Sequence, residues 1–203
     1  MKINKPKDVL SITQNKLSEF IFNDIKDIEN PKVLEFGVRK GVSTRFFLDL
    51  CNKNNGKCTS VDIVDYSHLF EDKNWQFIHS RDDNFEYIKN QIPKEFDIIF
   101  LDSLHEATHV EKILYNYYDL LKKGGYFIID DISWIPYLKD EWRDNFNLET
   151  ENRKTFETLI DIHLTNQDNF IIDFRFITSG LAKIRKITSN SLNRKKHVNS
   201  RIY

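Results

Sequence analysis

The order of apolar and polar residues predicts an α/β protein built on a doubly wound, mostly parallel sheet. Three observations carry this. Between residues 32 and 131, short apolar runs alternate with amphipathic ones, the order expected of strands joined by helical crossovers. The runs FDIIFLD (96–102) and YFIIDD (126–131) are continuous rather than alternating, as in strands buried on both faces. Finally, FIIDFRFI (170–177) and GLAKIRKI (180–187) are separated only by Thr178-Ser179, too little chain for a parallel crossover, so they form an antiparallel hairpin.

Each element follows from its own pattern. Val9, Ile12, Leu17, Phe20, Ile21, Ile25 and Ile28 recur at helical spacing and predict an N-terminal helix over about 8–28. KVLEFG (32–37) is the first strand, ending at a glycine. VSTRFFLDLCNK (42–53) has helical spacing and is stopped by NNGK (54–57). Strands CTSVDIV (58–64) and WQFIH (75–79) follow, then a helix over NFEYIKNQI (84–92) that ends at Pro93. After the fourth strand, a long helix over about 105–122 is closed by Gly124-Gly125, and a helix around 152–164 precedes the hairpin.

Composition bounds the class. The 203 residues, 40% of them hydrophobic with 16 Phe and 8 Tyr, are enough for one well-packed domain over 1–187 and too apolar for a disordered chain. No apolar run reaches membrane-spanning length, and the first residues lack the apolar stretch of a secretory signal. Cys51 and Cys58 form neither a disulfide framework nor a zinc cluster, so a cytoplasmic, reducing setting is expected. The formal charge of −1 hides an asymmetry: no acid follows Asp173, while eight Lys or Arg do. Positions 1–173 therefore carry a net −9, and residues 188–203 read as a basic, flexible tail.

Ligands of open α/β sheets bind beyond the carboxyl ends of the strands, so the residues there carry the chemistry. After the first strand stands Glu35-Phe36-Gly37-Val38-Arg39-Lys40-Gly41, with two glycines four apart instead of the three of a dinucleotide fingerprint. A carboxylate two positions before the first glycine suits a ligand with a cationic group. Asp62 ends the second strand 21 residues beyond Gly41, where an acid can accept two ribose hydroxyls. Asp82, in the charged loop after the third strand, lies where an adenine ring would be held.

Asp102 ends the fourth strand and Asp130-Asp131 the fifth. Neighbouring strands lie about 4.8 Å apart, so the three carboxylates converge and need a compensating cation or proton. An all-oxygen set suits Mg²⁺ or a similar hard divalent ion. His105, three residues beyond Asp102, is placed to act as a general base. The same residues also read as helix caps, with Asp102 and Asp131 at helix N-termini and His105 as polar filler. The string HEATH (105–109) formally matches His-Glu-x-x-His, but it follows a central strand of the sheet, which argues against a metalloprotease. Trp134, Tyr137, Trp142 and Phe146 read equally as a substrate wall or as a satellite of the core.

The run 96–132, together with LEFGVRKGVST (34–44) and the closing Gly180-Leu181 and Lys186, resembles the class I S-adenosylmethionine-dependent methyltransferases. Within them it is most similar to the branch of macrolide-sugar O-methyltransferases and cephalosporin-hydroxylase-like proteins, through acid-x-Gly-x-x-x-Gly, Asp-x-x-His and the acid pair. The resemblance implies a Rossmann-like sheet of seven strands in the order 3-2-1-4-5-7-6. It also implies that Glu35, Gly37, Gly41 and Ser43 contact the methionine part of S-adenosylmethionine, that Asp62 holds its ribose and that Asp82 lies near its adenine. Asp102, Asp130 and Asp131 would bind the divalent cation, and Asp102 and His105 would be catalytic.

Two loops depart from the branch: Ser80-Arg81-Asp82 stands where Gly-Asp-Ser is usual, and Ser103-Leu104 where Gly-Asp is common. The activity implied is metal-assisted O-methylation of a small hydroxylated acceptor such as a sugar. Two other readings stay open. One is methylation of RNA or protein with the basic tail as anchor; the other is a regulatory subunit that binds the cofactor without transfer. No membrane partner is expected, and a homo-oligomer is compatible with the branch.

Overall fold

The computed structural model describes residues 16–134, 146–176 and 179–194. Helical residues 16–20 lead through a turn at Ile21 into α1 (Phe22–Ile25). There follow β1 (Lys32–Phe36), α2 (Val42–Lys53), β2 (Lys57–Asp62), β3 (Trp75–His79), α3 (Phe85–Lys89), β4 (Phe96–Leu101) and α4 (Ala107–Tyr117). A 3₁₀ turn (Tyr118–Leu120), β5 (Leu121–Asp130), α5 (Phe146–Thr165), β6 (Phe170–Arg175) and β7 (Leu181–Lys186) complete the order.

The seven strands form one sheet in the order β3-β2-β1-β4-β5-β7-β6. β1 to β5 pair in parallel, and β7 runs antiparallel to both β5 and β6. This is the sheet expected from the sequence. Alternation along the buried strands divides the core between its two faces. Leu34, Phe36, Ile99, Leu101, Phe127 and Ile129 pack with α4 and α5 on one face. Val33, Ile98, Phe100 and Ile128 pack with α2 and the N-terminal helical segment on the other.

Several boundaries differ from expectation. The helix after β4 ends at Tyr117, and the strand begins at Leu121 rather than 126, with Gly124-Gly125 inside it. The register shifts between Phe96 and Ile98, which pair with Leu121 and Tyr126, so the glycines form a bulge and are not a helix stop. A Cβ on Gly125 would lie 2.8 Å from the carbonyl oxygen of Asp97, and Gly124 has φ +87°. β2 stops at Asp62, because its carboxylate accepts the Val64 amide at 2.9 Å and turns the chain, leaving Ile63 and Val64 exposed. α5 begins six residues earlier than expected, at Phe146.

The N-terminal segment is broken at Ile21 instead of forming one helix, and residues 8–15 of the expected helix lie outside the described residues. Leu17, Ile21 and Ile25, four apart, are fully buried against the α2 face. Residues 188–194, expected to be loose, are clasped to the body. Asn166 donates to the Asn193 carbonyl at 2.8 Å and accepts from its amide at 2.7 Å, while Leu192 packs on the core. Residues 195–203 of the expected tail lie outside the described residues. Among the described residues no helix is long and apolar enough to cross a membrane.

Candidate active site

The carboxyl ends of β1, β2 and β4 are drawn together by the glycine loop. Gly37 adopts φ +93°, and a Cβ there would lie 2.0 Å from the Asp102 carbonyl oxygen, so only glycine lets the first strand end against the fourth. The Gly37 amide reaches the Val61 carbonyl at 2.9 Å, and the Asp102 amide reaches that of Phe36 at 2.8 Å. Asp62 then ties the loop down: its Oδ2 accepts the amides of Val38 at 2.7 Å and Arg39 at 3.4 Å. Gly41 (φ +72°) starts α2 and meets the Phe70 ring, which a Cβ would approach to 2.7 Å.

Glu35 is fully buried beneath this loop. Its Oε2 accepts from Thr44 Oγ1 at 2.7 Å and Ser60 Oγ at 2.6 Å, while Oε1 has no hydrogen-bond partner. Burial, with a smaller push from the charge of Asp62, raises its pKa to about 7, against the hydroxyls of Ser43, Ser60 and Thr44.

Beyond β3, Asp82 Oδ2 accepts from Ser103 Oγ and from His109 Nε2, the latter at 2.9 Å, and its carbonyl accepts from Tyr117 OH at 2.7 Å. Burial works against its charge, but His109 and Ser103 more than compensate and hold the carboxyl below its ordinary range. The two departures from the related branch thus bond to each other, Asp82 to Ser103. Neither was readable as a partner, because 21 residues separate them.

His105 precedes α4, whose N-cap is Glu106. Its Nε2 lies 3.5 Å from Asp102 Oδ1 and 3.2 Å from Asp131 Oδ2. His109 turns to Asp82, so the two histidines of HEATH diverge and do not share a ligand. Asp131 holds φ +57°, which swings its side chain away from the line of β5. Asp102 is raised well above the carboxylate range, first by burial and then by Asp130 and Asp131, with Lys16 acting in the opposite sense.

Asp130 behaves differently from the other two acids. It is buried, and its Oδ1 accepts from Lys16 Nζ, from Ser179 Oγ at 3.1 Å and from the Asp131 amide at 2.6 Å. Lys16 also donates to Ser179 Oγ at 2.6 Å. The expected three-carboxylate metal set is therefore not assembled: Asp102 and Asp131 face His105, while Asp130 is committed to a lysine. Among the described residues no group of three or more His, Cys, Asp or Glu has metal-holding geometry. The donor set present does not fit a divalent ion held by all three acids. Sequence reasoning missed Lys16, whose partner lies 114 residues away.

A cavity of about 540 Å³ opens along these strand ends, lined by Gly37, Val38, Asp62, Asp82, Asp102 and His105 among others. Glu35, Gly41 and Ser43, expected at the cofactor, do not line it. Glu35 and Ser43 are turned into the α2 face, and Gly41 is pressed on Phe70. Trp134 packs on Phe156 and Phe176, with ring centroids 4.7 and 5.3 Å away, as part of an aromatic cluster with Phe174. Tyr137 and Trp142 lie outside the described residues, and only the backbone of Phe146 is described.

Residues 34–132 match the family model of a methyltransferase domain. No protein of curated function is similar in sequence. Among solved structures, the MycE methyltransferase of the mycinamycin biosynthetic pathway, in complex with Mg, SAH and mycinamycin VI, is similar with TM-score 0.62 and 22% identity. The likeness covers 87% of this chain and 50% of MycE, so the chain spans half the length of that protein. SAH-bound PaMTH1 of Podospora anserina gives TM-score 0.62 at 16% identity over 78% of this chain and 72% of its own. The fibrillarin pre-rRNA processing protein of Methanococcus jannaschii gives 0.53 at 20% over 78% and 67%. At these identities the structures speak for the fold. The family match over residues 34–132 and the likeness of fold to solved methyltransferases agree on a methyltransferase domain.

Proposed function

We propose that the chain transfers the methyl group of S-adenosylmethionine to a hydroxyl oxygen of a small acceptor such as a sugar. The observation that carries this reading is the imidazole of His105. It is held between Asp102 and Asp131 on the rim of the cavity that Gly37 and Asp62 also line. The cavity's volume is within the range of small-molecule sites. The resemblance to macrolide-sugar enzymes supports the acceptor class, as does MycE's complex with mycinamycin VI.

When bound, the cofactor supplies an electron-poor sulfonium methyl group. Asp62 keeps lone pairs beyond the loop amides it accepts and would take the ribose hydroxyls. Asp82, braced by Ser103 and His109, would stand at the adenine end. His105 would accept the proton of the acceptor hydroxyl, leaving an oxygen lone pair free to attack. Asp102 and Asp131 would orient the ring, and Asp131, the nearer of the two, would stabilise the imidazolium that results.

His105→Ala tests the assignment. Methyl transfer should fall by about 10²–10⁴-fold, the usual worth of a positioned general base, while calorimetric affinity for S-adenosylhomocysteine stays at the wild-type value. Full turnover in the variant would reject His105 as the base.

A further inference from the structure

We propose that Lys16 is the built-in cation of the acidic site, its buried ammonium standing where a divalent metal ion would otherwise balance the acids at the ends of β4 and β5. The proposal rests on the preceding reading for its bearing on catalysis, but its geometry and its test do not depend on methyl transfer.

The side chains of Lys16 and Asp130 are 5% and 4% exposed. Asp130 Oδ1 already accepts from the ammonium, from Ser179 Oγ and from the Asp131 amide, which leaves that oxygen no lone pair for a metal. Lys16 spends a second donor on Ser179 Oγ at 2.6 Å. Its charge also reaches Asp102, where it opposes the crowding by Asp130 and Asp131. A divalent ion placed among the three acids would face a fixed positive charge nearby, and in a poorly solvated site that repulsion is large.

The position of Lys16 is built into the fold. Leu17 and Ile21 are fully buried on the α2 face, and Phe20 sits beneath Lys183 with 4.9 Å from its Nζ to the ring centroid. On the opposite side, Gly180 (φ +79°) lets the chain pass so close to Ser133 that a Cβ would meet it at 2.7 Å. The Ser133 amide bonds the Ser179 carbonyl at 2.8 Å, which fixes the hydroxyl that receives Lys16. Three segments far apart in sequence thus converge on one ammonium. Such pairs are costly to break from one side only, because the remaining charge stays buried.

The test measures metal binding. Mn²⁺ is titrated into wild type and Lys16→Met with detection by electron paramagnetic resonance, and Mg²⁺ by calorimetry. Wild type should show no saturable site in the cleft, and Lys16→Met should bind Mn²⁺ at least about tenfold more tightly, since a neighbouring positive charge has been removed. A merely structural lysine would create no such affinity. A wild-type site that Asp131→Asn abolishes and Lys16→Met leaves unchanged would overturn the proposal.

Should Lys16→Met fold poorly, melting temperatures of Asp130→Asn and of the double variant decide. The double variant should be more stable than either single one, and one no better than the worse single variant would count against the pairing. Mn²⁺ binding by wild type with transfer intact rejects the lysine and keeps the reaction. The expected Mn²⁺ pattern without transfer keeps the lysine and rejects the reaction.

Discussion

At the scale of single residues, the site is governed by what each acid meets. Asp62 is occupied by the amides of the glycine loop, Asp82 by Ser103 and His109, and Asp130 by Lys16. Among the described acids Glu35 alone is buried with an unpartnered oxygen, and its folded pKa of about 7 lies above its ordinary value of 4.5. Between those two pH values the folded state binds more protons than the unfolded one, so this residue makes stability fall as pH rises from 4.5 to 7. The full loss is on the order of 3 kcal/mol. Glu35→Gln should remove that slope and be the more stable protein at neutral pH. Urea unfolding at a series of pH values checks this, and parallel curves for the two proteins would contradict it. The cysteines stand outside the chemistry: both are buried and unpaired, and burial pushes the Cys51 thiol up to about 12. Alternation along β1, which puts Glu35 on the same face as Val33, is a signal in the sequence that could have taken this carboxylate out of the cavity.

At the scale of elements, the strands were the most legible part. β4 and residues 126–129 of β5 are continuous apolar runs, and a continuous run bounded by turn residues has few alternatives to a buried strand. Gly124-Gly125 misled because the pair reads the same as a helix stop and as a strand bulge. Only the pairing of Leu121 with Phe96 decides between them. The segment 188–194 looked loose because its polar residues have no period. Its order comes from Asn166 and Asn169, both in the turn between α5 and β6. Asn169 donates to Asn166 Oδ1 at 3.1 Å and the Ser191 carbonyl at 3.3 Å, and accepts from Thr188 Oγ1 at 3.1 Å. Such buried side-chain bonds leave no pattern in the segment they hold. Asn169→Ala should cost about 1–3 kcal/mol, and amide exchange over 188–194 should quicken while β1 and β4 keep their protection. Unchanged exchange there would show that the asparagine does not hold the segment.

At the scale of the whole molecule, the charge asymmetry divides into working parts. Acids of the body cluster at the carboxyl edge of the sheet, where Asp62, Asp82 and Asp102 line the cavity and Asp131 lies 3.2 Å from His105. Some of the basic end is consumed by the fold itself. Lys183 pairs with Asp24 at 2.6 Å, Lys186 is buried over the Tyr118 ring, and Arg194 stacks on Tyr115. That use weakens the reading of the basic end as an anchor for RNA. The carboxyl-edge rule for α/β sheets brought the right strands to the site from the sequence alone. The cation came from a segment with no motif, and long-range charge pairing of that kind is visible only in three dimensions. The central claim is methyl transfer to oxygen, and its most direct measurement uses S-adenosylmethionine labelled in the methyl group with a panel of sugars and other small hydroxylated acceptors. The account predicts label recovered in a methyl ether of at least one acceptor, with S-adenosylhomocysteine released in equal amount. Tight binding of S-adenosylhomocysteine with no label leaving the cofactor for any acceptor would contradict it, and would mark the chain as a cofactor-binding protein without transfer.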